Sequence, residues 1–216
     1  MVDGRSAEYD WRDHYNRSAG RYDAKEWLWG VLLGYSDREE RRKLVARLEL
    51  EPGQRLLEVS AGTGSSLVEA AASGRDAKLV GADISSGMLG QCRRKLAARG
   101  VPADLVESDA THLPFKSGVF DAVLHFGAIS MFPDKKTAIN EIVRVARPGA
   151  RIVIGDVGVS PERGGLRRAL LLKANPRYGE RPATDLIAPH TTEHRVSWFR
   201  NDTCYVIEFT KGGTPQ

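Results

Sequence analysis

Cysteine is nearly absent from this chain of 216 residues, which carries only Cys92 and Cys204. Two thiols so far apart cannot build a disulfide framework or a cysteine-rich metal site. Each sits in an apolar-periodic stretch, so both are expected to be reduced packing residues. Long apolar runs are also missing: none reaches the roughly 18 residues of a membrane-crossing helix. Residues Met1 to Asp13 are polar and acidic and lack the apolar stretch of a signal peptide, so a cytoplasmic location is expected. None of the 5 histidines has metal-ligand spacing, and no metal site is expected. A large excess of one charge is missing too. Lys+Arg is 32 against 28 Asp+Glu, a net of +4, which permits an anionic partner without requiring nucleic acid. What remains, with 41% hydrophobic and 28% charged residues, reads as one ordinary globular α/β domain spanning 1–216.

Residues 1–50 read as a separate helical leader rich in aromatics: Tyr9, Trp11, Tyr15, Tyr22, Trp27 and Trp29, with breaks near Gly20 and Gly34. Ser36 and Glu39 form a capping-box pattern ahead of a helix that presents Leu44, Val45 and Leu48 on one face. From Arg55 the pattern changes to alternating strands and helices. Strands are expected at Arg55–Val59, Lys78–Asp83, Asp104–Glu107, Phe120–Phe126 and Arg151–Val157. The helices between them present Met88, Leu89, Cys92 and Leu96, then Ile139, Ile142, Val143 and Ala146, on their buried sides. Such alternation means right-handed crossovers and a doubly wound parallel sheet. The tail differs: Arg195–Phe199 and Cys204–Phe209 flank the turn Arg200-Asn201-Asp202-Thr203. That hairpin predicts a seven-stranded sheet closing with an antiparallel strand.

The chemistry concentrates where the first strand ends, at Glu58-Val59-Ser60-Ala61-Gly62-Thr63-Gly64. Ligands of doubly wound sheets bind outside the carboxyl ends of the strands, and glycines there let a ligand approach the backbone. An ordinary glycine-rich turn is the plain reading. Asp83 argues against it: an acid ending the next strand, about 20 residues on, is placed to hold both ribose hydroxyls of a nucleoside, beyond capping the helix near Ser85. The dinucleotide fingerprint is incomplete, because Ser65, Ser66 and Leu67 follow Gly64 and the third glycine is missing. Glu58 also suits a ligand amino group better than a pyrophosphate. The pattern therefore favours an amino-acid nucleoside.

These residues resemble the class I S-adenosylmethionine-dependent methyltransferases, and within them the group that includes the ubiquinone and menaquinone C-methyltransferases. The likeness covers residues 20–157 well and the hairpin loosely. Glu58 to Gly64 is similar to the family's acid-G-x-G-x-G motif, with Ser60 in place of the first glycine. The resemblance implies S-adenosylmethionine as cofactor. It also implies Asp83 on the ribose, Ile84 and Met88 against the adenine, Asp109 accepting from the adenine amine, and the Ala110 amide donating to the ring. Tyr22, in Arg21-Tyr22-Asp23, is implied near the cofactor carboxylate, and His125 borders the reactive methyl. Glu58, Ser60, Gly62, Thr63 and Gly64 complete the implied cofactor set.

His125, at the end of the fourth strand, is the candidate general base, set beside a plainer role as spacer or cofactor contact. Asp156 faces the same choice between cleft and loop cap. His14 and Tyr15 on the leader, and His190 and His194 near the hairpin, are lesser candidates. The D/N-P-P-Y/F run of base-amine methyltransferases is missing after the fourth strand, so nucleic acid is not the expected acceptor. The continuation Ala128-Ile129-Ser130-Met131-Phe132 departs from that of the ubiquinone-type relatives and leaves a small aromatic or lipid-like acceptor, methylated on carbon, oxygen or nitrogen. Residues 51–157 are then the cofactor core, 158–190 a substrate cap and 191–216 the hairpin and tail. The cap holds Arg163, Arg167, Arg168, Lys173, Arg177 and Arg181 against Glu162 and Glu180, with leucines between. It reads as a solvated amphipathic helix or as a peripheral membrane contact through 161–182. Two other functions stay open: a nucleoside-binding module without turnover, and a nicotinamide-dependent oxidoreductase. Oligomeric state is open as well.

Overall fold

The structure, a computed structural model, describes residues 10–162, 164–174, 176–187 and 191–213. Tyr9, Arg163 and His190 lie outside these residues, and the side chains of Leu166, Arg167, Ala174 and Arg177 are also outside the description. The leader forms α1 (Trp11–Ser18), α2 (Tyr22–Leu33) and α3 (Asp37–Ala46). A single 3-10 turn, Ala19–Arg21, marks the break at Gly20, and Gly34 ends α2 in the left-handed conformation. The Ser36 hydroxyl accepts from the Glu39 amide and caps α3, as the pattern predicts.

β1 (Arg55–Val59), β2 (Lys78–Asp83), β3 (Ala103–Glu107), β4 (Phe120–Phe126) and β5 (Ala146–Val157) are parallel neighbours in the order β3-β2-β1-β4-β5. β6 (Thr191–Phe199) and β7 (Cys204–Lys211) complete seven strands, with β7 antiparallel between β5 and β6. Crossovers run through α4 (Ser65–Ala72), α5 (Ser86–Ala97) and α6 (Lys135–Val145), and α7 (Leu166–Ala174) follows β5. This is the doubly wound, mostly parallel sheet with an antiparallel hairpin strand.

Alternate residues of the central strands feed two cores, as the period-two pleat requires. Leu57, Val59, Val123, Ile152 and Ile154 pack with Ile139 and Ile142 of α6. Leu56, Leu124 and Val153 pack on the other face with Leu44 and Leu48, Leu67 of α4, and Cys92 and Leu96 of α5. Both cysteines are free and buried. Three strands start earlier than the pattern predicts, β3 by a single residue, at Ala103, and β5 and β6 by more. β5 begins at Ala146, with Pro148 and Gly149 falling in a register irregularity between the Phe120 and Ala122 pairings. A residue without an amide donor is tolerated in a strand at such a bulge. β6 begins at Thr191 and bulges between Thr192 and Arg195, where Glu193 takes a φ of 56°.

The hairpin tip positions the leader. Arg200, Asn201 and Asp202 are consecutive left-handed residues, with φ of 51°, 53° and 58°. Asn and Asp tolerate this conformation best among residues with a Cβ. Asn201 Nδ2 donates to the Leu33 and Gly34 carbonyls, at 2.9 and 3.0 Å, and so satisfies the orphan end of α2. The Ser160 amide donates to the Asp202 carbonyl at 3.1 Å, so the chain leaving β5 grips the same turn. Asn201→Ala removes both side-chain bonds and keeps the left-handed backbone. It should cost about 1–3 kcal/mol in a denaturant titration and speed hydrogen exchange in the last turn of α2. Unchanged exchange there would mean that the turn does not hold the helix.

Candidate active site

The site begins where β1 and β2 end. β1 runs into a turn in which Ser60, Gly62 and Gly64 all have positive φ, at 56°, 55° and 77°. Ser60 thus occupies a left-handed position that suits glycine, at a strain of roughly 1–2 kcal/mol. Gly64 has no alternative, because a Cβ there would stand 2.4 Å from Cys92 Sγ. Asp83 ties this turn to β2: its Oδ2 accepts from the Gly62 amide at 2.8 Å and its Oδ1 from the Ser85 amide at 2.9 Å. Burial pushes the Asp83 carboxyl up, and the Ser85, Gly62 and Ile84 amides pull it back. Each carboxylate oxygen keeps a lone pair beyond these bonds.

A cavity of about 1020 Å³ opens beside this turn. Ser60, Gly62, Asp83, Ile84 and Met88 line one side, continued by Ser108, Asp109 and Ala110 beyond β3. Asp109 Oδ1 accepts from the Thr111 amide and hydroxyl at 2.8 and 2.9 Å, which leaves Oδ2 for another donor. Ser108 Oγ is buried and has no partner among the described residues. The leader adds Trp11, Arg12 and Tyr15 of α1, and the chain from the end of β4 adds Phe126, Met131, Phe132, Pro133, Asp134 and Thr137, so aromatic and apolar side chains dominate there with a few polar ones among them. Gly127 and Ala128 lie between the two sides.

The leader closes over this cavity. Asn16 Oδ1 accepts from the Gly87 amide at 2.9 Å and from the Ser85 hydroxyl at 2.7 Å. A Cβ on Gly87 would stand 2.9 Å from Asn16 Cα, so the close approach of α1 to α5 depends on that glycine. Asp23 accepts from the Thr63 hydroxyl at 2.6 Å and pairs with Lys95 at 2.7 Å, which fastens α2 to the glycine turn. The Tyr15 hydroxyl donates to Met131 Sδ at 3.4 Å, which joins α1 to the far wall. Tyr22 also lines the cavity, and burial pushes its hydroxyl pKa upward, so it stays protonated.

Other expected residues stand behind the wall. Glu58 is buried on the α3–α4 side and accepts from the Ser66 hydroxyl and the Leu67 amide, with the Arg41 guanidinium beside it. Burial lifts its pKa to about 7 despite Arg41, and Oε2 has no hydrogen-bond partner among the described residues. Thr63 and Gly64 shape the turn without reaching the cavity wall. His125 is 0% exposed and lies on the same face of β4 as Val123, the face that packs against α6. Its Nδ1 lies 3.0 Å from the Val59 carbonyl, and its ring centroid is 5.3 Å from that of Phe132. Burial lowers its pKa, so the ring is neutral, and Nε2 has no hydrogen-bond partner among the described residues. Asp156 takes a loop-capping position, accepting from the Ser130 amide at 2.6 Å and the Val157 amide at 2.7 Å. His194 bonds Thr191 and stacks on Phe209, away from the cavity. His14 is exposed beside the Trp11 and Tyr15 rings. The described residues of 158–190 contribute nothing to the wall. Trp11, Met131, Phe132 and His112 reach it without having been named as site residues; the signals for them were the aromatic richness of the leader and the unusual continuation Ala128 to Phe132 after the fourth strand.

A methyltransferase-domain family model matches residues 57–154. A demethylmenaquinone methyltransferase of Mycobacterium sp. (strain KMS) is 38% identical over 173 residues, 79% of this chain and 70% of that protein. The chain belongs to the class I S-adenosylmethionine-dependent methyltransferases. A second demethylmenaquinone methyltransferase, from Thermus thermophilus, is 36% identical over 140 residues, 65% of this chain and 62% of that protein. The fold of a solved Haemonchus contortus phosphoethanolamine N-methyltransferase 2, bound to phosphomonomethylethanolamine and S-adenosylhomocysteine, matches with a TM-score of 0.72 at 15% identity. That match covers 94% of this chain and 60% of the other. S-adenosylmethionine is accordingly the cofactor of this methyltransferase, and its acceptor is a small molecule. The cavity fits the cofactor: spare carboxylate lone pairs on Asp83 and Asp109, an unpartnered Ser108 hydroxyl, and apolar Ile84 and Met88 between them.

The raised pKa of Glu58 has a sign that can be measured. Folding raises it from the ordinary 4.5 to about 7, so the folded state holds the extra proton between those values. Its stabilising contribution is complete below about pH 4.5 and is lost as pH rises through 7. Glu58→Gln should therefore flatten the fall in stability between pH 5 and 8, by up to about 3 kcal/mol. Parallel urea titrations of the two proteins across that range would settle it, since identical slopes would mean that Glu58 ionises normally.

Proposed function

We propose that this methyltransferase acts on an apolar aromatic acceptor of the quinol type in the cytoplasm. The observation that carries the reading is the division of the cavity. The strand ends offer carboxylates and amides suited to an adenosine; the leader and the chain from the end of β4 offer Trp11, Tyr15, Phe126, Met131 and Phe132, with Arg12, Asp134 and Thr137 among them, suited to a flat ring that carries polar substituents. Relatives that are demethylmenaquinone methyltransferases support the same acceptor class.

In this reading Asp83 accepts from both ribose hydroxyls, while Ile84 and Met88 sandwich the adenine. Asp109 Oδ2 takes the adenine amine, and the Ala110 amide donates to the ring. Ser60 and Gly62 meet the methionine part through their backbone, and the protonated Tyr22 hydroxyl donates to its carboxylate. Glu58, Thr63 and Gly64 act from behind, by setting the shape and the field of the turn. The cofactor supplies a methyl group already activated on a sulfonium, so what is left to the protein is alignment and dryness. Trp11 and Tyr15 press the acceptor against the end of β4 and exclude water. His125, neutral and buried against Phe132, is assigned to positioning that wall rather than to touching the acceptor. Residues 1–50 serve as lid, 51–157 as cofactor core and 191–216 as hairpin and tail, while 158–190, expected as a substrate cap, has no described residue on the cavity wall. The exposed Leu170, with Lys173 and Arg181, is consistent with the peripheral membrane contact expected through 161–182.

Two measurements test this. Titration calorimetry should show S-adenosylmethionine binding that Asp83→Ala weakens by about 1–3 kcal/mol through lost charge-assisted hydrogen bonds. With a short-chain naphthoquinol, mass spectrometry should find the ring methylated. A cofactor-bound protein that leaves the naphthoquinol untouched would overturn the acceptor assignment.

A further inference from the structure

Helix α2 lacks the apolar-inside, polar-outside division of an ordinary surface helix. Trp27 is 68% exposed, Leu32 64%, Val31 59%, Leu28 50% and Trp29 41%. At about 100° per residue these side chains spread over roughly 200° of the helix circumference. Soluble surface helices normally keep one apolar stripe, against the core. A contiguous exposed cluster of this kind marks a surface that something else covers.

The charges around it indicate what. Every acidic side chain of α1 and α2 is engaged. Asp13 pairs with Arg17 and Asp23 with Lys95, and Glu26 lies 3.8 Å from Arg200. Asp10, just before α1, accepts from the Asp13 amide as its cap. Arg21, just before α2, and Lys25 within it are exposed and have no acidic partner among the described residues. The face therefore combines two exposed indoles, three large aliphatic side chains and uncompensated positive charge. Tryptophan beside arginine and lysine suits the boundary between lipid headgroups and acyl chains, and the surplus charge suits anionic lipid. None of the helices among the described residues is long and apolar enough to cross a membrane, so contact from α2 is contact at the surface. Its position fits as well: α2 starts at Tyr22 on the cavity wall, and its far end is gripped by the hairpin tip that also holds Ser160.

We propose that α2 is an interfacial anchor for an anionic bilayer. Trp27 to Leu32 enter the headgroup boundary, Arg21 and Lys25 lie on the lipid phosphates, and the cavity mouth faces an apolar acceptor dissolved in the membrane. Only the last clause rests on the acceptor proposed above; the anchoring surface stands on α2 itself.

The test is co-sedimentation of the full chain with vesicles of phosphatidylcholine, with and without phosphatidylglycerol, together with tryptophan emission. The wild type should bind the anionic vesicles with a blue shift and release in high salt, and should bind pure phosphatidylcholine weakly. The double variant W27A/L32A should lose at least tenfold in vesicle partition while binding S-adenosylmethionine as the wild type does, which shows that it folds. K25E should lose the preference for anionic lipid. Wild-type protein that stays in the supernatant, or a W27A/L32A protein that partitions equally, overturns the proposal. So does sedimentation velocity showing a dimer that W27A/L32A abolishes, because a second copy would then cover α2. Turnover of a water-soluble short-chain naphthoquinol without vesicles should be the same in the wild type and W27A/L32A. Its failure in both counts against the acceptor assignment and leaves the vesicle result standing.

Discussion

One carboxylate, Asp83, holds the working end of the sheet together. Its two oxygens accept amides from the glycine turn after β1 and from the cap of α5, so the ends of two neighbouring strands share one anchor. The Ser85 side chain extends the anchor in two directions, capping α5 through the Met88 amide and reaching Asn16 of the lid. Asp83 and Ser85 are therefore the residues on which α1, the glycine turn and the first helical turn of α5 together depend. The free lone pairs of Asp83 are held in place by the same bonds that hold the fold.

A second constraint lies deeper. Arg41 and Arg200 are buried, and both stack over the Phe126 ring, at 5.1 and 4.8 Å. Buried cations are tolerated only when paired. Asp37 answers both arginines, and Glu26 approaches Arg200. Arg200 comes from the hairpin tip, Glu26 from α2, Asp37 and Arg41 from α3, and Phe126 from the cavity wall. The cluster thus carries the position of the C-terminal hairpin through α2 and α3 to the Phe126 side of the cavity. Glu58 lies at its edge, and the nearby Arg41 only partly offsets the burial that raises its carboxyl.

Much of this was legible along the chain because the signals are local. Glycines and an acid at a strand end, a second acid one crossover later, and a helical period in α5 and α6 each need only a short window of sequence. The boundaries at Pro148 and Glu193 were less legible, since a bulge is set by the partner strand and leaves little trace in its own residues. The aromatic wall was least legible. Tyr15 meets Met131 across 116 positions of sequence, and no periodicity announces such a contact.

The amino-acid sequence by itself determined the doubly wound sheet, its antiparallel closure, and the kind of cofactor that its strand ends accept. Those follow from alternation, turn chemistry and charge type at fixed short spacings. Only the tertiary structure decided which residues face the cavity. The pleat turns Glu58 to the α3 face of the sheet and His125 to the α6 face, so two acid–base residues at strand ends stand behind the wall that they help to shape. It likewise decided that the aromatic leader divides in two. α1 spends Trp11 and Tyr15 on the cavity, while α2 leaves Trp27 and Trp29 outside and turns Gly30 inward, where a Cβ would stand 2.8 Å from the Tyr35 carbonyl oxygen.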